Sequence, residues 1–172
     1  MGNFSSFIGN QEKSALVTGL DNSGKKTIMQ VLSPNSLFNT STEFHPFFER
    51  FSYNNIQMNV ISIDTRDFSR DYWPTFLSNM QAIVFVVDNS NRSSHDESKD
   101  LLNWLLGQEY LQKIPLLVLS HKSDLHESLS HEEFISFFNL NGVTNREWHL
   151  CSSSVLHTNG LYQGFQWLRE HV

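Results

Sequence analysis

Residues 14–26 read S-A-L-V-T-G-L-D-N-S-G-K-K, and this stretch decides the fold. Its first part, residues 14–18, is a short apolar run of the kind that forms a strand, and it leads directly into a glycine-bearing loop at residues 19–26. Residues 27–32 then have helical character, and Pro34 ends the helix. A strand that turns into a helix through G-x-x-x-x-G-K directs backbone N–H groups and a positive helix end at one point, which favours a bound phosphate.

Seven residues of this loop are candidate phosphate-binding residues. Gly24 allows the backbone to approach an anion closely, and Lys25 reaches the β- and γ-phosphates of a nucleotide as a point charge. The alternative is a glycine-containing turn with two solvated lysines. The position of the loop between a strand and a helix favours phosphate binding. The predicted residues are Asp21, Asn22, Ser23, Gly24, Lys25, Lys26 and Thr27.

Strands alternate with helices along the rest of the chain. Two strands at 46–53 and 56–63 are predicted to form a hairpin at Asn54-Asn55. Continuous apolar runs are typical of strands buried on both faces, and helical spacing of leucine and phenylalanine follows each of them. The further strands are predicted at 82–87, 114–119 and 147–151, with helices around 101–106, after a cap at Ser130, and at 161–171. This alternation predicts an α/β fold with a mostly parallel sheet covered on both faces and an antiparallel edge.

Polar segments after the later strands are candidates for base recognition. The carboxylate of Asp124 can accept hydrogen bonds from N1 and N2 of guanine, a donor pair that adenine lacks, while the stem of Lys122 packs on the ring. A backbone N–H of the Cys151-Ser152-Ser153 segment can meet guanine O6. Parallel sheets bind ligands at the carboxyl ends of their strands, so three such loops in this order favour a guanine nucleotide over unrelated polar loops. The predicted guanine-binding residues are His121, Lys122, Asp124, Ser152 and Ser153.

Composition excludes several other classes of protein. The chain has 172 residues and a net charge of −6, and it contains no basic stripe of the kind that nucleic-acid binders use. No apolar run reaches the roughly 18 residues of a membrane span. The single Cys151 excludes an internal disulfide and a multi-cysteine zinc site, and no secretory signal is expected.

The N-terminus carries a pattern for lipid attachment. M-G-N-F-S-S fits the myristoylation motif with Gly2 as acceptor, and Phe4, Phe7 and Ile8 share one face of a short helix. Because one myristoyl chain binds membranes only marginally, with K of about 10⁴ M⁻¹, these side chains supply a second signal. The alternative is a frayed terminus whose phenylalanines pack on the domain. We expect residues 1–13 to be a myristoylated amphipathic segment and residues 14–172 to be the nucleotide-binding domain.

The phosphate-loop sequence G-L-D-N-S-G-K at 19–25 resembles that of Arf and Arf-like small GTPases, including Asp21. Similarity continues through QAIVFVVDNSNR, WHLCSS and NGLYQGFQWL and covers essentially the whole chain. Within the family, these stretches are most similar to the ciliary Arf-like branch that recruits the Bardet–Biedl coat complex. The resemblance implies a P-loop small-GTPase fold with a six-stranded mostly parallel sheet, one antiparallel edge strand and helices on both faces. It also implies GTP and GDP as ligands and two switch segments that contact the γ-phosphate.

Several positions depart from the family pattern around Mg²⁺ and the γ-phosphate. Lys26 replaces the Ser or Thr that ligates Mg²⁺, and an ammonium cannot coordinate a cation. Its charge can instead neutralise phosphate oxygens, or it can simply be solvated. His45 occupies the place of the first-switch Thr in an ungapped register, whereas a shifted register brings Thr42 or Glu43 there. Asp64 of the second switch is retained as a weak metal-ligand candidate, but the following Gly and the water-orienting Gln are absent.

The base-binding positions are altered less. His121 replaces the Asn that ties this loop to the phosphate loop, and Ser152 replaces an Ala while keeping its backbone N–H. We therefore expect guanine preference with lowered affinity, poor suitability for Mg²⁺ and no assigned catalytic residue.

Three function classes remain open. The first is a membrane-associated guanine-nucleotide-binding regulatory protein with impaired or absent hydrolysis, which recruits effectors such as a coat or adaptor complex in membrane or ciliary trafficking. The second is a slow but active GTPase switch, and the third is a nucleotide-independent interaction module. The retained Gly24 and Lys25 favour binding over the third class, and the lost switch groups favour the first class over the second. We expect a monomer at the cytosolic face of membranes, with the cilium and the Golgi as candidate locations.

Overall fold

The computed structural model describes residues 13–34, 39–40, 48–54, 56–61, 74 and 77–172. Within these residues the chain forms seven strands and four α-helices. The strands are β1 (Lys13–Thr18), β2 (Asn39–Thr40), β3 (Phe48–Tyr53), β4 (Ile56–Ile61), β5 (Ala82–Asp88), β6 (Leu116–His121) and β7 (Trp148–Ser153). The helices are α1 (Lys25–Leu32), α2 (His95–Leu106), α3 (His131–Phe137) and α4 (Asn159–His171).

All the strands belong to one sheet with the order β2-β3-β4-β1-β5-β6-β7. Strands β4, β1, β5, β6 and β7 are parallel, whereas β3 is antiparallel to β4 and β2 is antiparallel to β3. The predicted mostly parallel sheet of six main strands with an antiparallel edge is therefore confirmed. The two-residue strand β2 extends that edge. Parallel alignment brings the carboxyl ends of β1, β5, β6 and β7 to the same side of the sheet.

Helices cover both faces of the sheet. On one face, leucines of α2 and Phe134 of α3 pack with Leu16, Phe85 and Val118 of the strands. On the other face, α1 and α4 pack against alternate residues of the same strands, including Val17. Strands such as β5 are apolar along their whole length because both of their faces are buried. None of the helices in the described part of the chain has the length and apolar composition needed to span a bilayer.

Some strand and helix ends differ from the predicted ones. Strand β6 continues to His121, two residues beyond the predicted end at residue 119, because it pairs with both neighbours there: Asp88↔His121 on one side and His121↔Ser153 on the other. His121 was expected to lie in a loop, but it is the buried last residue of a central strand. Helix α1 begins at Lys25 rather than at residue 27, and β1 begins at Lys13 rather than at residue 14.

Candidate functional site

The loop between β1 and α1 depends on two glycines. Gly19 has φ 147°, and a Cβ there would lie 2.1 Å from the carbonyl oxygen of Val86 in β5. Gly24 has φ 100° and forms the N-cap of α1. Both conformations lie in the region that favours glycine. The sequence G-x-x-x-x-G thus folds into a tight loop that presents the N-terminus of a helix, with its partial positive charge, to the carboxyl edge of the sheet.

Lys25 is folded back into this loop. Its side chain is buried, and Nζ donates hydrogen bonds to the carbonyl oxygens of Gly19 at 2.9 Å and Leu20 at 2.6 Å. A third oxygen, Oγ of buried Ser23, lies 3.3 Å from Nζ. Burial lowers the pKa of Lys25 to about 8, and the nearby Asp21 carboxylate opposes this shift. The loop therefore buries the ammonium group of Lys25 and provides its hydrogen-bond acceptors from its own oxygen atoms.

An open cleft of about 500 Å³ lies over the loop. Its lining includes six of the seven predicted phosphate-binding residues together with one residue of the predicted base loop: Asp21, Asn22, Gly24, Lys25, Lys26, Thr27 and Lys122. Ser23, the seventh, lies beneath the loop against Lys25. Three lysines and one carboxylate line the cleft, so it attracts anions.

His121 connects the phosphate loop with the end of β7. Its Nδ1 lies 3.0 Å from Oγ of Ser153. Its ring occupies the space beside Gly24, where a Cβ would lie 2.4 Å from the ring Cδ2. Burial and the charge of Lys122 lower the pKa of His121, and the Asp88 and Asp124 carboxylates act in the opposite direction. The hydrogen bond of the imidazole thus goes to β7, and the ring approaches the phosphate loop only by lying beside Gly24, not through the hydrogen bond that the sequence predicts at this position.

Lys122 reaches across the cleft to two other elements. Its Nζ lies 2.6 Å from Oδ2 of Asp88 and donates to the carbonyl oxygen of Asn22 at 3.0 Å. In this structure the lysine therefore links β5, β6 and the phosphate loop through its ammonium group, in addition to any packing of its stem on a base.

Asp88 is a site residue that the sequence reasoning missed. Burial acts to raise its pKa, but hydrogen bonds from Lys122 and Ser90 outweigh burial and lower it below the ordinary value. The signal was present in the sequence, since an acidic residue directly follows the apolar run at 82–87. Because the carboxyl ends of neighbouring parallel strands meet, that carboxylate had to lie close to the residues that follow β6.

The remaining base-binding candidates lie just after β6 and at the end of β7, where Ser152 and Ser153 are strand residues because β7 continues two residues beyond its predicted end at residue 151. Ser123 donates from its N–H and its hydroxyl to the carbonyl oxygen of Ser153, at 3.2 Å and 3.1 Å. Asp124 and Ser152 are exposed on either side of this junction. The Asp124 carboxylate and the Ser152 side chain are therefore exposed at this edge of the sheet, whereas Ser153 is buried.

Three further candidates, His45, Asp64 and Gly2, lie outside the described residues. Among the residues that are described, no three His, Cys, Asp or Glu side chains come together as a metal site. At the phosphate loop the groups next to the cleft include the ammonium groups of Lys25 and Lys26, which cannot ligate a cation. At residue 26, where a loop ending in G-K-S or G-K-T carries a hydroxyl, the cleft is lined by the ammonium group of a lysine.

Comparison with known proteins gives a consistent set of relatives. A sequence profile of the ADP-ribosylation factor family matches residues 2–172. ADP-ribosylation factor K of Dictyostelium discoideum is 32% identical over 165 residues, which cover 96% of this chain and 88% of that protein. Human ADP-ribosylation factor-like protein 5A is 30% identical over 162 residues, covering 94% of this chain and 90% of that protein. ADP-ribosylation factor 1 of Brassica rapa subsp. pekinensis is 31% identical over 165 residues, covering 96% and 91%.

Proposed function

This chain belongs to the ADP-ribosylation factor family of GTP-binding regulatory proteins, and from this premise we propose that it binds guanine nucleotides at a membrane surface while hydrolysing GTP poorly or not at all. The nucleotide-bound protein then recruits protein effectors, such as a coat or adaptor complex, in membrane or ciliary trafficking. The protein acts through what it binds rather than through turnover.

The lysine-lined cleft is the observation that carries the proposal. Lys25 and Lys26 come from the phosphate loop and Lys122 comes from the loop after β6, so phosphate and base elements face one space. The exposed Asp124 carboxylate, two residues beyond Lys122, supplies the acceptors that match the N1 and N2 donors of guanine. The contact between Ser153 and His121 supports the proposal, since it joins the segment with the predicted O6 donor to the strand that precedes Lys122.

Lys26 makes the proposed binding independent of Mg²⁺. A phosphate-bound metal ordinarily neutralises β- and γ-oxygens, and a fixed ammonium at the rim of the cleft provides part of that neutralisation without coordination. Lys26 is exposed and lines the cleft, so it is positioned for direct contact with an anion. The hydroxyl of Thr27 also lines the cleft, but by the family pattern it serves the α-phosphate rather than a metal.

Poor hydrolysis follows from the sequence of the second switch. A glutamine orients the attacking water in related GTPases, and the segment after Asp64 contains neither that glutamine nor the preceding glycine. In the ungapped register His45 takes the place of the first-switch threonine, and neither that register nor the shifted one, which brings Thr42 or Glu43 there, restores the full family pattern. With these groups replaced, we propose that the bound nucleotide is a structural ligand or is hydrolysed very slowly.

Membrane attachment is assigned to the first thirteen residues. Gly2 is the acceptor for myristate, and Phe4, Phe7 and Ile8 provide the additional apolar contact that one acyl chain needs for stable binding. The proposal assigns the chain to the cytosolic face of a membrane, with the cilium and the Golgi as candidate locations.

A titration with fluorescent GDP and GTP, with and without Mg²⁺, tests the proposal. We expect both nucleotides to bind, with affinities that change little when EDTA replaces Mg²⁺, and single-turnover assays to show negligible GTP cleavage. Asp124→Ala should weaken guanine nucleotides selectively, whereas Asp96→Ala on the exposed surface of α2 serves as the matched control. Absence of binding at micromolar protein would leave the nucleotide-independent module as the function, and turnover at the rate of working relatives would make the chain an active switch.

A further inference from the structure

His121 contacts three parts of the site through its backbone and its ring. Its carbonyl oxygen accepts a hydrogen bond from the N–H of Asn89 at 2.8 Å, its Nδ1 meets Ser153, and its ring lies against Gly24. Because Gly24 is the N-cap of α1, the imidazole touches the point where backbone N–H groups converge. A change in the charge of this ring therefore acts directly on the phosphate loop.

The surroundings of the imidazole contain charges of both signs from three elements. Lys122 and Asp124 follow His121 directly after β6, Asp88 lies at the end of β5, and Lys25 is the first residue of α1, next to Gly24. The positive end of α1 adds to the two lysines. Burial, and after it the charge of Lys122, lower the pKa of the imidazole and so favour its neutral form, whereas the Asp88 and Asp124 carboxylates act in the opposite direction.

Resting on the nucleotide binding proposed above, we propose that His121 takes up a proton when a phosphorylated ligand enters the cleft, so that affinity for nucleotide rises as the pH falls from about 8 to about 6. An anion next to the phosphate loop offsets the cationic field that opposes protonation of the ring. The protonated ring keeps its contact with Ser153, since Nδ1–H donates to the hydroxyl in the charged form. His121 is then a positioning residue that couples proton uptake to anion binding.

Linkage fixes the size of the effect. If the ligand raises the pKa of the ring by about one unit, nucleotide affinity gains at most about tenfold between the alkaline and the acidic limit. An asparagine at this position has no titrating group, so the pH profile of that variant reflects only the remaining titrating groups, which include Lys25 and the ligand's own phosphates. The difference between the two profiles isolates the contribution of His121.

The test measures GDP dissociation constants of the full chain between about pH 6 and pH 8, the range in which histidine titrates. Wild-type protein, His121→Asn and the control His131→Asn, which alters an exposed histidine of α3, are compared. We expect wild type and His131→Asn to gain at least about threefold more affinity toward low pH than His121→Asn does. Guanosine, which carries no phosphate, should bind with no such difference.

A second measurement needs no variant. The imidazole resonances of His121 in the wild-type protein should titrate at higher pH with GDP than without it, and guanosine should leave the midpoint unchanged. Parallel GDP profiles for wild type and His121→Asn, or an unshifted midpoint, would overturn this inference while leaving nucleotide binding in place. If GDP binds to none of the proteins at any pH, the proposed function itself fails, and this inference fails with it.

Discussion

At the scale of single residues, Lys26 separates this chain from metal-dependent relatives. It lines the cleft at the position where a hydroxyl would be needed to ligate Mg²⁺. We expect Lys26→Thr to make GDP binding Mg²⁺-dependent, with about tenfold weaker affinity in EDTA, or about 1.4 kcal/mol. The reason is that the variant loses the ammonium group of Lys26 and gains a hydroxyl that can ligate Mg²⁺ from solution. Fluorescence titration with and without Mg²⁺ measures the ratio.

A matched variant separates the two parts of that effect. Lys26→Met removes the charge without adding a hydroxyl, so its affinity should fall to the same extent in the presence and in the absence of Mg²⁺. If Lys26→Thr and Lys26→Met behave alike, the hydroxyl has no access to a metal and the account of residue 26 is wrong.

The buried hydroxyl of Thr18, at the end of β1, leads to a second prediction about a single residue. Its hydroxyl is fully buried and has no hydrogen-bond partner among the described residues. A buried hydroxyl without a partner costs about 1 kcal/mol or more, and valine has almost the same shape. Thr18→Val should therefore raise the free energy of unfolding by about 1 kcal/mol in urea denaturation. Thr144→Val, at an exposed position, should leave it nearly unchanged, and a destabilised Thr18→Val protein would show that the hydroxyl is bonded in solution.

At the scale of elements, the phosphate loop and α1 depend on Gly24. A side chain there would have φ 100° and would push its Cβ to 2.4 Å from the His121 ring. The unfavourable φ and the overlap with the His121 ring act together. We therefore expect Gly24→Ala to destabilise the protein by more than the roughly 1–2 kcal/mol that a left-handed conformation costs a non-glycine residue. The substitution should also abolish nucleotide binding. Thermal unfolding and GDP titration measure these losses.

Two controls separate strain from collision. Gly107→Ala, at the end of α2, places its Cβ 3.5 Å from the nearest carbonyl oxygens without a positive φ, and it should be tolerated. Adding His121→Ala to Gly24→Ala should recover the steric part of the lost stability but not the conformational part. Full recovery would mean that φ at this residue is unimportant.

Elements were largely predictable because each depends on a local pattern. The apolar run at 82–87 indicated a doubly buried strand, and Ser130 was expected to cap a helix, where the structure shows a full capping box with Glu133. What escaped prediction depends on pairing between distant segments. The burial of His121 and the ion pair of Lys122 with Asp88 arise only when β5, β6 and β7 align with Asp88↔His121 and His121↔Ser153. Such a register is not encoded in any single window of sequence.

At the scale of the whole molecule, the site concentrates positive charge in an acidic protein. The chain has a net charge of −6, yet three lysines face one cleft. The positive charge at the cleft therefore comes from local convergence rather than from overall composition, and it includes one buried ammonium group, that of Lys25, whose pKa burial lowers. The fold and the proposed binding site are linked at Lys25, because this residue is buried at the carboxyl edge of the parallel sheet and also lines the cleft.

The last prediction concerns how this cost varies with pH in the protein without nucleotide. Burial places the pKa of Lys25 at about 8 in the folded chain, below its ordinary value of 10.5, so between these values the unfolded chain binds more protons. The free energy of unfolding should therefore rise between pH 7 and pH 9, by about 1 kcal/mol, as folded Lys25 loses its proton. Above pH 9 the buried Cys151 thiol, whose pKa is raised from 9.0 to about 11, favours unfolding and sets the upper limit of the range. Urea denaturation of wild type and Lys25→Met measures the effect: the variant should show no such rise, and equal slopes for the two proteins would show that the loop oxygens of Gly19 and Leu20 fully stabilise the charged amine.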